Sequence, residues 1–89
     1  MRKLVQGKNG LLIEFRITKG CIVPQHQHSH ESFCYLKTGK VLIHIEDDEK
    51  VMQPGDVWYQ PENTLHHTVA LEDSNWLEFK TPAEAPFTS

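Results

Sequence analysis

Between Leu11 and Ile17 the chain alternates: Leu11, Ile13, Phe15 and Ile17 share one face, Glu14 and Arg16 the other. From Lys40 to Glu46 the alternation recurs, with Val41, Ile43 and Ile45 opposed to His44 and Glu46. A period of two is the mark of a pleated strand, whose successive side chains leave opposite faces. Turn-forming groups interrupt these runs at short intervals: Lys8-Asn9-Gly10, Lys19-Gly20, Lys37-Thr38-Gly39, Glu46-Asp47-Asp48, Pro54-Gly55-Asp56, Pro61-Glu62-Asn63 and Glu72-Asp73-Ser74-Asn75. The pattern predicts strands near 11–18, 21–24, 26–28, 32–37, 40–46, 49–52, 57–60, 65–71 and 76–80, and no amphipathic helix. Many short strands joined by Gly/Pro turns make an all-β sandwich or barrel. No internal repeat marks a solenoid.

The length of 89 residues fits a single domain over 1–89, with the barrel at about 4–80 and a loose tail at 81–89. A domain this small buries only roughly 60–65% of the surface its unfolded chain exposes, so a bound metal or a subunit interface would add stability. A net charge of −3 without any Lys/Arg block argues against nucleic acid and anionic membranes as partners. No apolar run approaches the roughly 20 residues of a membrane helix, and the start lacks the apolar stretch of a signal peptide. Cys21 and Cys34 are too few for a disulfide framework. A cytoplasmic protein with free thiols is the expectation.

Histidine changes the picture: there are six, and five fall in two short segments. In Pro24-Gln25-His26-Gln27-His28-Ser29-His30-Glu31, an extended backbone would set His26 and His28 on one face, close enough to share a metal ion. His30 has the same parity if the strand continues. A third imidazole must come from His66 or His67, which are adjacent and therefore point oppositely; only one can join the others. His44, isolated, reads as a surface or hydrogen-bonded residue. In Pro54-Gly55-Asp56-Val57-Trp58-Tyr59-Gln60-Pro61-Glu62-Asn63-Thr64-Leu65-His66, Gly55 suits a turn needing positive φ. Pro61 ends a short strand, and Asn63 can take the left-handed conformation.

These two segments resemble the paired motifs of the cupin superfamily. Its first motif runs Gly, five residues, His-x-His, three or four residues, Glu, six residues, Gly; its second runs Gly, five residues, Pro-x-Gly, two residues, His, three residues, Asn. Here Gly20 precedes His26-Gln27-His28 by five residues and Gly39 closes the motif; Gly55 stands five residues before Pro61-Glu62-Asn63, with His66 two further on. The resemblance implies a double-stranded β-helix, a jelly-roll barrel of two short antiparallel sheets. It also implies one divalent transition metal (Fe, Zn, Ni, Mn or Cu) on His26, His28 and His66. The usual carboxylate or glutamine ligand falls at Ser32, a poor donor. Glu31, which needs a bulge to turn inward, and His30 are the substitutes. Asn63 replaces the second glycine and Ala70 the terminal asparagine.

A closer resemblance, through Gly20-x3-Pro24-x-His26-x-His28-Ser29-His30-Glu31, Pro54-Gly55-Asp56, Leu71-Glu72-Asp73-Ser74 and Phe79-Lys80-Thr81-Pro82, is to small single-domain cupins of pectin and alginate breakdown, which help convert unsaturated uronic acids to linear keto forms. It implies enol-to-keto chemistry on a small, oxygen-rich sugar acid at the metal. A three-histidine iron dioxygenase acting on a thiol or diketone, and a non-catalytic small-molecule binder, are the other readings. Glu31, His30 and Tyr59 are the candidate acids and bases. Cys34 shares the parity of Ser32 and reads either as pocket lining or as a buried small hydrophobe. Small cupins are commonly dimers, and the sheet edges of a short barrel need cover, so a homodimer is expected.

Overall fold

The computed structural model describes residues 1–26 and 29–82, with His26 given by its backbone alone. Among the described residues there are nine strands and no helix: β1 (Arg2–Gln6), β2 (Leu11–Ile17), β3 (Ile22–His26), β4 (Glu31–Thr38), β5 (Val41–Ile45), β6 (Asp48–Met52), β7 (Val57–Gln60), β8 (His66–Ala70) and β9 (Ser74–Thr81). They form two antiparallel sheets, one ordered β1-β2-β9-β4-β7 and the other β3-β8-β5-β6. The all-β expectation holds.

Two boundaries differ from the sequence reading. β1 was not expected, because Arg2-Lys3-Leu4-Val5-Gln6 lies at the sheet edge with every residue exposed and shows no alternation. The runs expected at 21–24 and 26–28 belong in part to one strand, β3, with a register irregularity between Val23 and His26. β3 tolerates Pro24 because it is an edge strand, where a missing N–H costs no ladder bond. The expected left-handed positions are present, Gly55 at φ 94° and Asn63 at φ 55°.

Register sorts the inward side chains of the larger sheet into rows across its strands. Phe15, Trp76 and Leu36 form an apolar row. Ile13, Glu78, Cys34 and Trp58 form a mixed one. Leu11, Lys80, Ser32 and Gln60 form a row that is polar over three strands. Facing them, the smaller sheet runs from Ala70, Val41 and Met52 through Thr68 and Ile43 to His66 and Ile45. The core clusters at the apolar end, where Phe15 stacks on Trp76 at 5.1 Å between centroids and Trp58 meets Trp76 at 6.0 Å. Polarity therefore rises along the barrel axis, and the histidine end is the polar one.

The outer face of the larger sheet carries two further rows: Val5, Leu12, Phe79, Phe33 and Tyr59, and beside it Arg2, Glu14, Leu77, Tyr35 and Val57. Phe33, Tyr35, Val57, Tyr59 and Phe79 are all exposed. Glu14 gathers Arg2 at 2.9 Å and Lys37 at 3.3 Å at the charged end of this face.

Gly39 and Gly55 hold similar backbone angles, φ 91° and 94°, in different surroundings. A Cβ on Gly39 would collide with Ser74 Oγ and the Asp73 carbonyl oxygen, whereas one on Gly55 would meet open space. Gly55→Ala should therefore cost about 1–2 kcal/mol, the left-handed penalty alone. Gly39→Ala adds overpacking and should cost at least about 2 kcal/mol more. Urea denaturation of the two variants measures the difference; equal midpoints would contradict it.

Candidate metal centre

β8 brings His66 and His67 in succession. The pleat turns His66 inward, where it is 4% exposed, and His67 outward, where its ring stacks on His44 at 4.7 Å. His44 also meets Glu49 across the hairpin, Nδ1 to Oε2 at 3.2 Å. Directly opposite His66 on the neighbouring strand stands the backbone of His26, the register in which antiparallel strands make cross-strand pairs. His28 lies outside the described residues.

The protonation of His66 follows from its neighbours. Nδ1 is 3.0 Å from the Thr64 carbonyl oxygen, which only accepts, so Nδ1 carries the hydrogen. Gln60 approaches Nε2 through its Nε2 amide at 3.2 Å, while its Oε1 accepts from the Trp58 indole N–H at 3.1 Å. The indole only donates, so the Gln60 oxygen must face Trp58 and its NH2 must face His66. His66 Nε2 is then the lone-pair nitrogen, directed inward. A metal-ligating imidazole needs that tautomer, held by a carbonyl on its other nitrogen. His66 therefore has the form a metal ligand takes, while the side chains of His26 and His28 lie outside the described residues.

Beyond this nitrogen the wall is polar and buried. Glu78 Oε2 and Lys80 Nζ pair at 3.1 Å, and Trp76 Nε1 donates to Glu78 Oε1 at 3.2 Å. Lys80 Nζ also donates to His30 Nε2 at 3.2 Å. Burial pushes the Glu78 carboxyl up, but the Lys80 charge and hydrogen bonds from Lys80, Trp76 and Ser32 outweigh it, leaving the pKa below the ordinary carboxylate value. Neither Glu78 nor Lys80 was singled out from the sequence, although both share the inward parity of Trp76 on β9. A charged residue at a core-facing position was the available signal.

The other sequence candidates divide by parity. His30 is buried beside Lys80, and Ser32 is inward and 1% exposed. Glu31 and Tyr59 point the other way: the Tyr59 hydroxyl donates to Glu31 Oε2 at 2.7 Å on the outer face. The bulge that Glu31 needed is absent, since β4 keeps register with β9 from Glu31 through Leu36. Both side chains therefore leave the face opposite to the one that carries Ser32 and Gln60. The hydrogen bond to Glu31, then burial, raises the Tyr59 pKa further from neutrality. Cys34 is buried with its Sγ 3.8 Å from Gln60 Oε1; burial first and Glu78 second raise its pKa well above the ordinary thiol value. It remains a neutral thiol lining the core.

Comparison with known proteins agrees with this architecture. The model of the cupin domain family matches residues 13–79. The chain is a cupin. It is 27% identical over 89 residues to the pectin degradation protein KdgF of Dickeya dadantii, covering 97% of this chain and 81% of that protein. The structure of KdgF from Halomonas sp. superposes with a TM-score of 0.88 at 25% identity, over 93% of this chain and 79% of that one. An RmlC-like cupin from Shewanella frigidimarina shares the fold with a TM-score of 0.89 at 21% identity, over 97% of this chain and 78% of that one. No helix among the described residues of this cupin is long and apolar enough to cross a membrane.

Two measurements check the electrostatics of the site. Cys21 is exposed and Cys34 buried, so a thiol reagent should modify one cysteine of the native protein quickly and the second only after unfolding. Fast labelling of both would contradict the burial of Cys34. The Glu78 pKa is lower folded than unfolded, so the folded state binds fewer protons in acid. Its stabilisation is complete above the unfolded carboxylate pKa and vanishes as pH falls through the folded value. Lys80→Met should cost about 3–5 kcal/mol at pH 7 by leaving the buried carboxylate unpaired, and denaturant midpoints across pH should show the deficit shrinking in acid.

Proposed function

We propose that this cupin holds one divalent transition-metal ion on His26, His28 and His66 and turns a small unsaturated sugar acid from its enol into its keto form. The observation that carries the reading is His66, buried and locked in the tautomer that offers Nε2 to the interior, with His26 opposite it in register. Bound there, the ion would supply positive charge for a substrate oxygen that becomes anionic.

The chain's own residues supply the rest. The Lys80 ammonium suits the carboxylate of a sugar acid, and His30 beside it gives a second nitrogen that can pass a proton. Glu78 pairs with Lys80 at 3.1 Å inside the barrel. In the net change the enol O–H proton is lost and a C–H bond forms at the neighbouring carbon, with no redox partner. The likeness to a pectin degradation protein supports a uronate as the substrate class.

Elemental analysis of protein purified without chelator or nickel resin should find close to one ion per chain, and His28→Ala should bind it at least about tenfold more weakly. Metal-loaded protein should speed the loss of the ultraviolet absorbance of an unsaturated uronate, and a chelator should stop it. Iron with oxygen uptake on a diketone or thiol would replace this reading with the dioxygenase one, favoured by three neutral ligands without a carboxylate. No metal and no turnover would leave a binding module.

A homodimer belongs to the same reading, with the outer face of the larger sheet as its interface. Its exposed apolar side chains offer on the order of 500 Å2, and a standard interface takes about 800 Å2 per partner, rim included. Light scattering at micromolar concentration should give twice the 10.3 kDa chain mass, and Phe33→Lys should halve it; a monomeric wild type would refute the dimer.

A further inference from the structure

β6 and β7 leave one tight turn, in which the Gln53 N–H donates to Asp56 Oδ2 at 2.8 Å and the Asp56 N–H to the Gln53 carbonyl oxygen at 2.9 Å. Beyond the turn they diverge into different sheets, each as a free edge. Between the two edges opens a cleft of about 250 Å³. Its floor is apolar, made of Ile43, Ile45, Met52 and Trp58.

The walls are polar. Pairing with β5 sets Asp48 opposite Ile45 and Lys50 opposite Ile43, on the inward face that Met52 shares. Both charged residues are nevertheless exposed, because the cleft is open beside them. Among the described residues neither makes an ion pair. On the other wall, the Leu36 N–H bonds to the Asp56 carbonyl oxygen. The alternation of an antiparallel ladder then commits the backbone of Trp58 and Gln60 to β4 and turns the N–H groups of Val57 and Tyr59 to the free edge.

We propose that this cleft binds a small molecule with an apolar body and a single carboxylate, the body on Ile43, Ile45, Met52 and Trp58 and the carboxylate on Lys50. The inference is independent of the metal reading. A concave apolar surface with a few polar groups is the usual form of a small-molecule site, and the volume lies a little under the roughly 300–1,000 Å³ of drug-sized pockets. Lys50 is the cation of the lining and selects an anion. Asp48, two residues along the same face and about 7 Å away, repels a second carboxylate. The apolar floor favours an aromatic or branched body over a polyhydroxylated one. Inward charges on an edge strand also discourage pairing with other strands, a role that needs no ligand.

A titration separates the two roles. 3-Phenylpropionate added to isotope-labelled protein should saturate, with two-dimensional NMR shifts centred on Ile43, Lys50 and Trp58. 3-Phenylpropionamide, which has the ring without the charge, and glucuronate, which has the charge without the ring, should each bind this cleft about tenfold more weakly or worse. Lys50→Gln, at an exposed position, should weaken the acid about tenfold and leave the amide unchanged; Asp48→Asn should tighten the acid. A carboxylate held by Lys80 or by a metal would bind the Lys50→Gln protein as before, with shifts at the polar end of the barrel, and that result would overturn the assignment. Failure to saturate would overturn it too, leaving Asp48 and Lys50 as protection of the β6 edge.

Discussion

A pleated strand sends successive side chains to opposite faces, and in this barrel that rule decides which chemistry the interior holds. His66 turns in and His67 out. Ser32 turns in and Glu31 out, Gln60 in and Tyr59 out. Shifting one of these strands by one residue would exchange its own pair, bringing His67, Glu31 or Tyr59 inward in place of His66, Ser32 or Gln60. The apolar rows at the other end make such a slip costly, because it would also expel Leu36, Trp58 or Ala70 from the core.

The polar end of the barrel is consistent because its donors and acceptors have few alternatives. The Thr64 carbonyl can only accept and the Trp58 indole can only donate, and between them lie His66 and Gln60, whose groups can be read either way. Fixing the two ends fixes the chain. A buried polar group without a partner costs about 1–3 kcal/mol, so a circuit of this kind holds its members in one arrangement.

Glu78, Lys80 and His30 extend the same logic to charge. A lone ammonium inside a barrel would lose its proton or unfold its surroundings. Here Lys80 is paired with Glu78 and hydrogen-bonded to His30. The pair is weak evidence for stability, since desolvating two ions offsets most of their attraction.

The local features were legible from residues alone. Alternation marked seven of the strands closely, Gly55 and Asn63 announced their left-handed turns, and the spacing of Gly20, His26, His28, Gly55 and His66 pointed to the family. These are properties of neighbours along the chain: parity, turn geometry and motif spacing. Tertiary structure decided the rest. The runs read at 21–24 and 26–28 belong in part to one edge strand, β3, and β1, exposed throughout, has no pattern to read. Glu31 and Tyr59 stood as candidate acids or bases; the unbroken β4–β9 register turned Glu31 outward and the β4–β7 pairing put Tyr59 beside it. Gln60, Glu78 and Lys80 meet the site only because β7 and β9 flank β4, although they are 28, 46 and 48 residues from Ser32. Sequence sets which face a side chain takes; which other side chains share that face depends on strand order, and strand order is a property of the folded sheets.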